Sequence, residues 1–167
     1  MGFILKLEFS KRSLLVRLYQ FDWGWGMKHA VRLAAPDTQF DETRASVFKR
    51  YAESEFVVHN YLGTSRLETL AMNIPTNCFF DPDTYAFRPE AQPYLNALEQ
   101  VGILHHSGGD AARFALSLRR HVAGWWNKPD VQNARSNFVA RYANFSPDWP
   151  RQWTEEFERL VDGGVRH

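Results

Sequence analysis

The chain has 167 residues, 44% hydrophobic and 23% charged, with 20 basic against 19 acidic side chains. That length fits one compact α/β domain, and the balanced, scattered charge leaves no basic stripe of the kind a nucleic-acid binder needs. No run approaches the roughly twenty apolar residues of a membrane span, and residues 1–6 reach a lysine too soon for a signal peptide, so the cytoplasm is the expected location. The one cysteine, Cys78, lies in the apolar run Asn77-Cys78-Phe79-Phe80 and reads as a small core residue, neither a disulfide partner nor a metal ligand. The aromatic count is high, with 13 Phe, 6 Trp and 6 Tyr, enough to build a core, line a groove or cover an interface.

Residues 13–19 read as a short buried strand, and 22–26 as a loop, because Gly24 and Gly26 interrupt it. A helix is expected over 41–52, with Ala45, Phe48 and Ala52 on its apolar face. Residues 55–59, rich in β-branched and aromatic side chains, form the second strand. The helix over 63–72 turns Leu67, Leu70 and Ala71 toward the sheet and stops at Asn73, with Pro75 just beyond. A third strand over 76–80 runs into the turn Asp81-Pro82-Asp83. Pro89 suits the first turn of a helix reaching Gln100, striped by Leu95, Leu98 and Val101, and a short strand over 102–105 follows. Three helices close the chain. The first has capping-box spacing at Ser107 and Asp110 and carries Phe114, Leu118, Val122 and Trp125. The second is marked by Val131, Ala134, Phe138 and Tyr142; the third starts at Ser146-Pro147 and aligns Trp149, Trp153, Phe157 and Leu160.

Short buried strands alternating with helices predict an α/β fold, a Rossmann-like parallel sheet with flanking helices over 13–105 and a helical C-terminal tail over 107–161, within one domain spanning 1–167. Such sheets take ligands at the carboxyl ends of their strands, where a loop turns into a helix. The segment running from His59 to Thr76 has that form. Gly63 allows close backbone approach, the first helical amides have no intrahelical partner, and Thr64 and Ser65 add hydroxyls beside them. A phosphate fits there, held by orphan N–H groups and the positive end of the helix dipole. Glu68 follows Thr64 by four residues, on the same side and about 6 Å along the axis. Its carboxylate can accept both ribose hydroxyls of a nucleotide. A hydroxyl residue followed by a glutamate is by itself an ordinary helix start with a solvated acid. The glycine turn, the strand before it and the strand after it raise the ligand-binding reading above that one.

The run Leu62-Gly63-Thr64-Ser65-Arg66-Leu67-Glu68-Thr69-Leu70-Ala71-Met72-Asn73-Ile74-Pro75-Thr76 resembles the donor-binding segment of GT-B glycosyltransferases. With Phe80-Asp81-Pro82, Arg88-Pro89-Glu90-Ala91, Gly102-Ile103-Leu104-His105 and Trp125-Trp126, the chain resembles the C-terminal half of a family of bacterial surface-polysaccharide transferases. The resemblance covers about residues 14–160 and is strongest over 56–126. It implies that Gly63, Thr64 and Ser65 take the donor phosphate and Glu68 the ribose, and that the acceptor belongs to a second, N-terminal Rossmann-like domain absent from this sequence.

Other residues are weighed on the same edge. Arg17 ends the first strand and either reaches a phosphate or sugar carboxylate or is a surface arginine. Asp81 follows the third strand and either meets the sugar or serves its turn. Asn60 and Tyr61 lie in the loop before Gly63, where Asn60 is placed at the base or sugar pocket and Tyr61 there or in packing. His105 and His106 are adjacent and point apart, which favours structural roles, and no cluster has metal-ligand spacing. Trp125 and Trp126 are read as core or interface. The expected function is transfer of a glycosyl group from a nucleotide-activated sugar to a surface glycan or lipid-linked acceptor, incomplete without the second domain. The nucleotide-sugar is a substrate and no cofactor is expected. The alternatives are a nucleotide-sugar epimerase-type half domain and a non-catalytic binding fragment. Further expectations are self-association through the C-terminal aromatic surface, with Trp125 and Trp126 adding to that of Trp149, Trp153 and Phe157, and peripheral contact with a membrane.

Overall fold

The computed structural model describes residues 14–19, 24–43, 46–118 and 121–163. Residues 1–6, Ser13, Asp22, Trp23 and Ala45, used in the sequence reading, lie outside them. The fold is α/β and Rossmann-like, with short parallel sheets and, among the described residues, eight flanking α-helices.

The first unit is β1 (Leu15–Val16), α1 (Met27–Ala34) and β2 (Gln39–Phe40), whose strands pair in parallel with Leu15 opposite Gln39 and Val16 opposite Phe40. The sequence reading has neither α1 nor β2. Within α1 Val31 alone is buried, too thin a stripe to register as a period. The helix expected over 41–52 begins later, as α2 (Val47–Glu53). Asp41 is the reason: its carboxylate accepts from the Thr43 amide at 3.1 Å and hydroxyl at 2.6 Å, which folds 41–43 into a turn. The expected apolar face is also corrected. Phe48 is 49% exposed and Ala52 is exposed, while Tyr51 turns inward against the His59 ring at 6.0 Å.

The second sheet has the order β3 (Val57–His59), β4 (Thr76–Phe79), β5 (Leu104–His105), all parallel, with His59 opposite Cys78 and Phe79 opposite His105. Its central strand is buried on both faces, as parallel strands under helices must be, and Thr76, Asn77 and Cys78 are fully enclosed. Burial pushes the Cys78 thiol up to about 12, so it stays protonated and donates to Ile103 O at 3.3 Å as a packing group. The crossovers are α3 (Thr64–Ala71) between β3 and β4 and α4 (Gln92–Gln100) between β4 and β5. Pro89 opens a 3-10 turn, Pro89–Ala91, ahead of α4.

Both crossover helices end in the same way. After α3, Asn73 takes φ 56 and the Ile74 amide reaches back to Thr69 O at 3.0 Å. After α4, Gly102 takes φ 80 and the Ile103 amide reaches Leu98 O at 2.9 Å. These are Schellman stops, which satisfy helix-end carbonyls and turn the chain into the next strand. Gly102 is doubly constrained, since a Cβ there would also lie 2.4 Å from the Phe114 ring.

The single helix expected after Ser107 is two, α5 (Gly108–Leu118) and α6 (Val122–Trp126), followed by α7 (Pro129–Tyr142) and α8 (Trp149–Gly163). Ser107 caps α5 by accepting the Asp110 amide at 3.1 Å. The main core joins Leu70, Cys78, Leu95, Leu98, Ile103 and Leu104 to Val122, Trp125, Trp126, Val131 and Phe138. Trp125 and Trp126 therefore leave the expected aromatic surface: they are core, and their indoles donate to Val101 O at 2.9 Å and to Asn73 Oδ1 at 3.0 Å. By contrast α8 buries no residue, and Trp149, Trp153 and Phe157 are 61%, 54% and 57% exposed. No helix among the described residues is long and apolar enough to cross a membrane.

This division makes a stability prediction. Leu98→Ala, at a fully buried position, is expected to cost about 2–5 kcal/mol in urea unfolding, whereas Trp153→Ala should change stability by less than about 0.5 kcal/mol. A large loss for Trp153→Ala in a monomer would place α8 in the folded core.

Candidate functional site

The loop after β3 climbs four residues and enters α3 at the carboxyl edge of the second sheet. Gly63 is the residue ahead of the helix, with ordinary extended torsions of φ −86° and ψ −176°, and no side chain caps the helix start. The expected reason for a glycine is corrected in one respect. The Tyr61 ring occupies the space beside it, and a Cβ on Gly63 would fall 2.0 Å from Tyr61 Cε2. Tyr61 is itself 48% exposed. Thr64 and Asn60 are exposed, and Ser65 and Glu68 are half-buried.

The inward face of α3 also differs from expectation. Arg66, Thr69 and Leu70 are buried, while Leu67 and Ala71 are half-buried. Two polar side chains thus point into the protein, and a third meets them from β3. His59 Nε2 lies 3.0 Å from Thr69 Oγ1, whose own proton goes to Arg66 O at 3.1 Å. That fixes the tautomer: Nε2–H donates to Thr69, and Nδ1 faces the Ser65 hydroxyl at 3.5 Å as the acceptor. Burial, reinforced by the Arg66 charge, lowers the His59 pKa to about 4. His59 is accordingly neutral at physiological pH.

Tyr51, which the sequence reading did not single out, is the meeting point. Burial pushes its phenol up and the Glu68 carboxylate adds to this, while a hydrogen bond with the Ser65 side chain and the Arg17 charge act the other way. Arg17 from the end of β1, Ser65 and Glu68 from α3, and Tyr61 from the intervening loop all act on one ring. Arg17, at the end of β1, thus lies within electrostatic reach of the ring that packs on His59. Arg17 is further held by Asp41 at 3.1 Å, as is Arg50 at 3.2 Å, and the Asp41 side chain is only 1% exposed. The Thr43 hydroxyl, then its amide and Arg50, keep that carboxyl below its ordinary value.

Arg66 is the other residue that sequence reasoning passed over. It is 7% exposed, and its Nε and Nη1 are enclosed without a hydrogen-bond partner. Its guanidinium lies over the Phe138 ring at 5.0 Å, and burial lowers its pKa. Asp81 sits apart from this group: its carboxylate accepts the Asp83 amide at 3.1 Å and caps the 3-10 turn Pro82–Thr84. His105 is half-buried near Asn77 and Gly102 O, both 3.0 Å from Nε2, and His106 pairs with Glu99 at 2.7 Å. Among the described residues no three His, Cys, Asp or Glu side chains group as metal ligands would. Open clefts of about 510 and 330 Å³ lie elsewhere, between α4 and α7 and beside Trp125.

The sequence model described as "LIC12162 family transferase" matches residues 1–157. The chain belongs to the LIC12162 transferase family. No curated protein and no solved structure matches it. Membership makes the chain a transferase-family protein, and the edge between His59 and Glu68 is the place in this family member where buried polar groups, an uncapped helix start and a half-buried carboxylate coincide.

The neutral His59 predicts a pH dependence. Its folded pKa of about 4 lies below the unfolded 6.5, so the unfolded chain takes up the proton first as pH falls. The stability it contributes is complete above pH 6.5, declines through the interval and is gone at about pH 4, a loss of about 3 kcal/mol. Burial lowers His105 as well, so the test is a difference. Urea unfolding of His59→Gln between pH 7 and 4.5 should show a shallower acid decline than wild type; parallel curves would refute the assignment.

Proposed function

We propose that this LIC12162 family transferase is the donor-binding half of a GT-B-type glycosyltransferase and binds a nucleotide-activated sugar at the start of α3. The observation that carries the reading is the β3–α3–β4 unit, in which α3 begins at the carboxyl end of β3 with no side chain capping its first amides. A diphosphate suits those amides and the Thr64 and Ser65 hydroxyls. Glu68, four residues on and half-buried beside Tyr51, suits the ribose. Asn60 and Arg17 flank the sugar end; Asp81 remains a candidate only if its carboxylate leaves the turn it now caps.

The chemistry supported by such a site is electrostatic. As the glycosidic bond breaks, negative charge grows on the leaving phosphate, where preorganised N–H donors at the helix start lower the barrier. The glycan or lipid-linked acceptor, and the group that activates it, are assigned to a second Rossmann-like domain. Membership of a transferase family favours group transfer over the epimerase-type alternative. Surface-carbohydrate biosynthesis is the process we assign to it, on the resemblance described above.

Three outcomes test this. In a thermal-shift panel of UDP, GDP, CDP and CMP, one nucleotide should raise the melting temperature, because a ligand that binds only the folded state stabilises it. No shift at millimolar concentration would remove the donor site. Glu68→Gln should fold normally and lose about 1–2 kcal/mol of nucleotide affinity by calorimetry; unchanged affinity would return Glu68 to the surface. The 167-residue chain should transfer no sugar by itself, and detected transfer would overturn the half-enzyme reading.

A further inference from the structure

We propose that Arg66 is a buried oxyanion seat behind the start of α3, taking a phosphoryl group of the ligand that the helix edge receives. The proposal rests on the donor-site reading for what else that ligand carries, but the seat follows from the guanidinium itself.

Arg66 is enclosed and charged, and two of its three side-chain nitrogens have no acceptor. No carboxylate among the described residues pairs with it. The compensation in place is the face of Phe138 at 5.0 Å, and a cation–π contact offsets only a fraction of what removing a full charge from water costs. An arginine kept for structure would have its acceptor built in, since buried donors in folded proteins are nearly always satisfied. Here Arg135, on α7, shows the structural solution: its Nη1 takes Leu70 O at 2.9 Å. Arg66 has no equivalent.

Its position says what is missing. Arg66 lies in the first turn of α3, where its amide donates to Gly63 O at 3.2 Å. Its charge acts on His59 at the end of β3, and the Tyr85 phenol, beyond β4, acts on it in turn. Tyr85 Oη accepts the Leu62 amide at 3.3 Å, so the cation is enclosed where the loops following β3 and β4 meet. The uncapped amides of this eight-residue helix open from the same turn. Dipole and guanidinium therefore place positive potential together. A phosphoryl group meets both at once, with charge-assisted hydrogen bonds to the guanidinium. The carboxylate of an acidic sugar offers the same chemistry with less charge.

The experiment uses the whole chain as wild type, Arg66→Met and Arg66→Lys. Inorganic pyrophosphate, glucuronate, UDP and uridine are titrated at constant ionic strength by calorimetry and thermal shift. Pyrophosphate should stabilise the wild type more than glucuronate does; the reverse order would overturn the phosphoryl assignment. Arg66→Met should melt at or above the wild-type temperature without ligand, because it removes an uncompensated buried charge. It should bind pyrophosphate about ten- to a hundredfold more weakly. A less stable Arg66→Met with unchanged pyrophosphate affinity would make Arg66 purely structural and overturn the proposal. If Arg66→Met does not fold, Arg66→Lys decides, because it keeps the charge and loses the planar fork; wild-type affinity for pyrophosphate in that variant also overturns it. UDP bound equally by wild type and Arg66→Met would sink the seat and leave the donor reading standing. Arg66-dependent pyrophosphate binding with no added affinity for UDP would support the seat and sink the donor reading. A wild type that binds none of the four ligands would sink both.

Discussion

Asn73, at φ 56, turns the chain out of α3 and into β4, and the contacts gathered around it fix where the other end of that helix lies. The Trp126 indole donates to both Asn73 O and Asn73 Oδ1, and Arg135 takes the adjacent Leu70 carbonyl. One polar turn is thereby tied to α6 and α7, and the carbonyls that a helix end leaves unpaired are claimed by groups from outside the sheet. A helix of eight residues is about 12 Å long. Holding one end this firmly determines where its first amides sit above β3, so the geometry of the candidate site is set by the core at its opposite end.

The two crossover helices show what this arrangement costs. Inside α4 the buried residues are Leu95 and Leu98, and their contribution is ordinary apolar burial. Inside α3 they are Arg66, Thr69 and Leu70, with His59 packed against Thr69. A folding-only solution would fill these positions with aliphatic side chains. Departures from the apolar-interior rule that gather in one place mark sites where stability has been traded for chemistry, and here they gather at the carboxyl edge of β3. His59 held uncharged, Arg66 held charged without a counter-ion and Tyr51 between Ser65 and Glu68 are three aspects of that trade.

Much of this framework is legible in the sequence because it is written in short periods and stop signals. The strands near 57 and 76, the arrest of α3 at Asn73 and the stripe Val131, Ala134, Phe138 need only local rules. What escapes has identifiable causes. The stripe Phe114, Leu118, Val122, Trp125 runs in phase across α5 and α6, so periodicity does not register the break, where the His121 amide bonds Leu118 O at 2.7 Å. Phe48 looks like the buried face of α2, but the T-shaped contact with His59 favours Tyr51. Arg66 is invisible because an arginine in a pattern reads as solvent-facing. The signal that could have found it is its spacing of three and four from Thr69 and Leu70, which puts it on the packed face.

The C-terminal helix brings the opposite problem. Its spacing predicts the apolar stripe correctly, yet none of its residues is buried: Trp149, Trp153, Phe157 and Leu160 are all more than half exposed. Trp153 and Phe157 meet each other at 5.2 Å, and the charged face is stitched by Arg151 to Glu155 and Arg159 to Glu156. Such a helix forms through its own i,i+4 contacts but gains little from tertiary burial. Contiguous aromatic surface of this kind ordinarily meets a partner. The open clefts of about 510 and 330 Å³ lie away from the α3 edge. An exposed aromatic stripe on the last helix is compatible with the proposal of a donor half, and equally with a second copy of the chain or another partner on that face. The half-enzyme proposal and the buried, unpaired Arg66 guanidinium therefore bear on the same question from different ends of the chain.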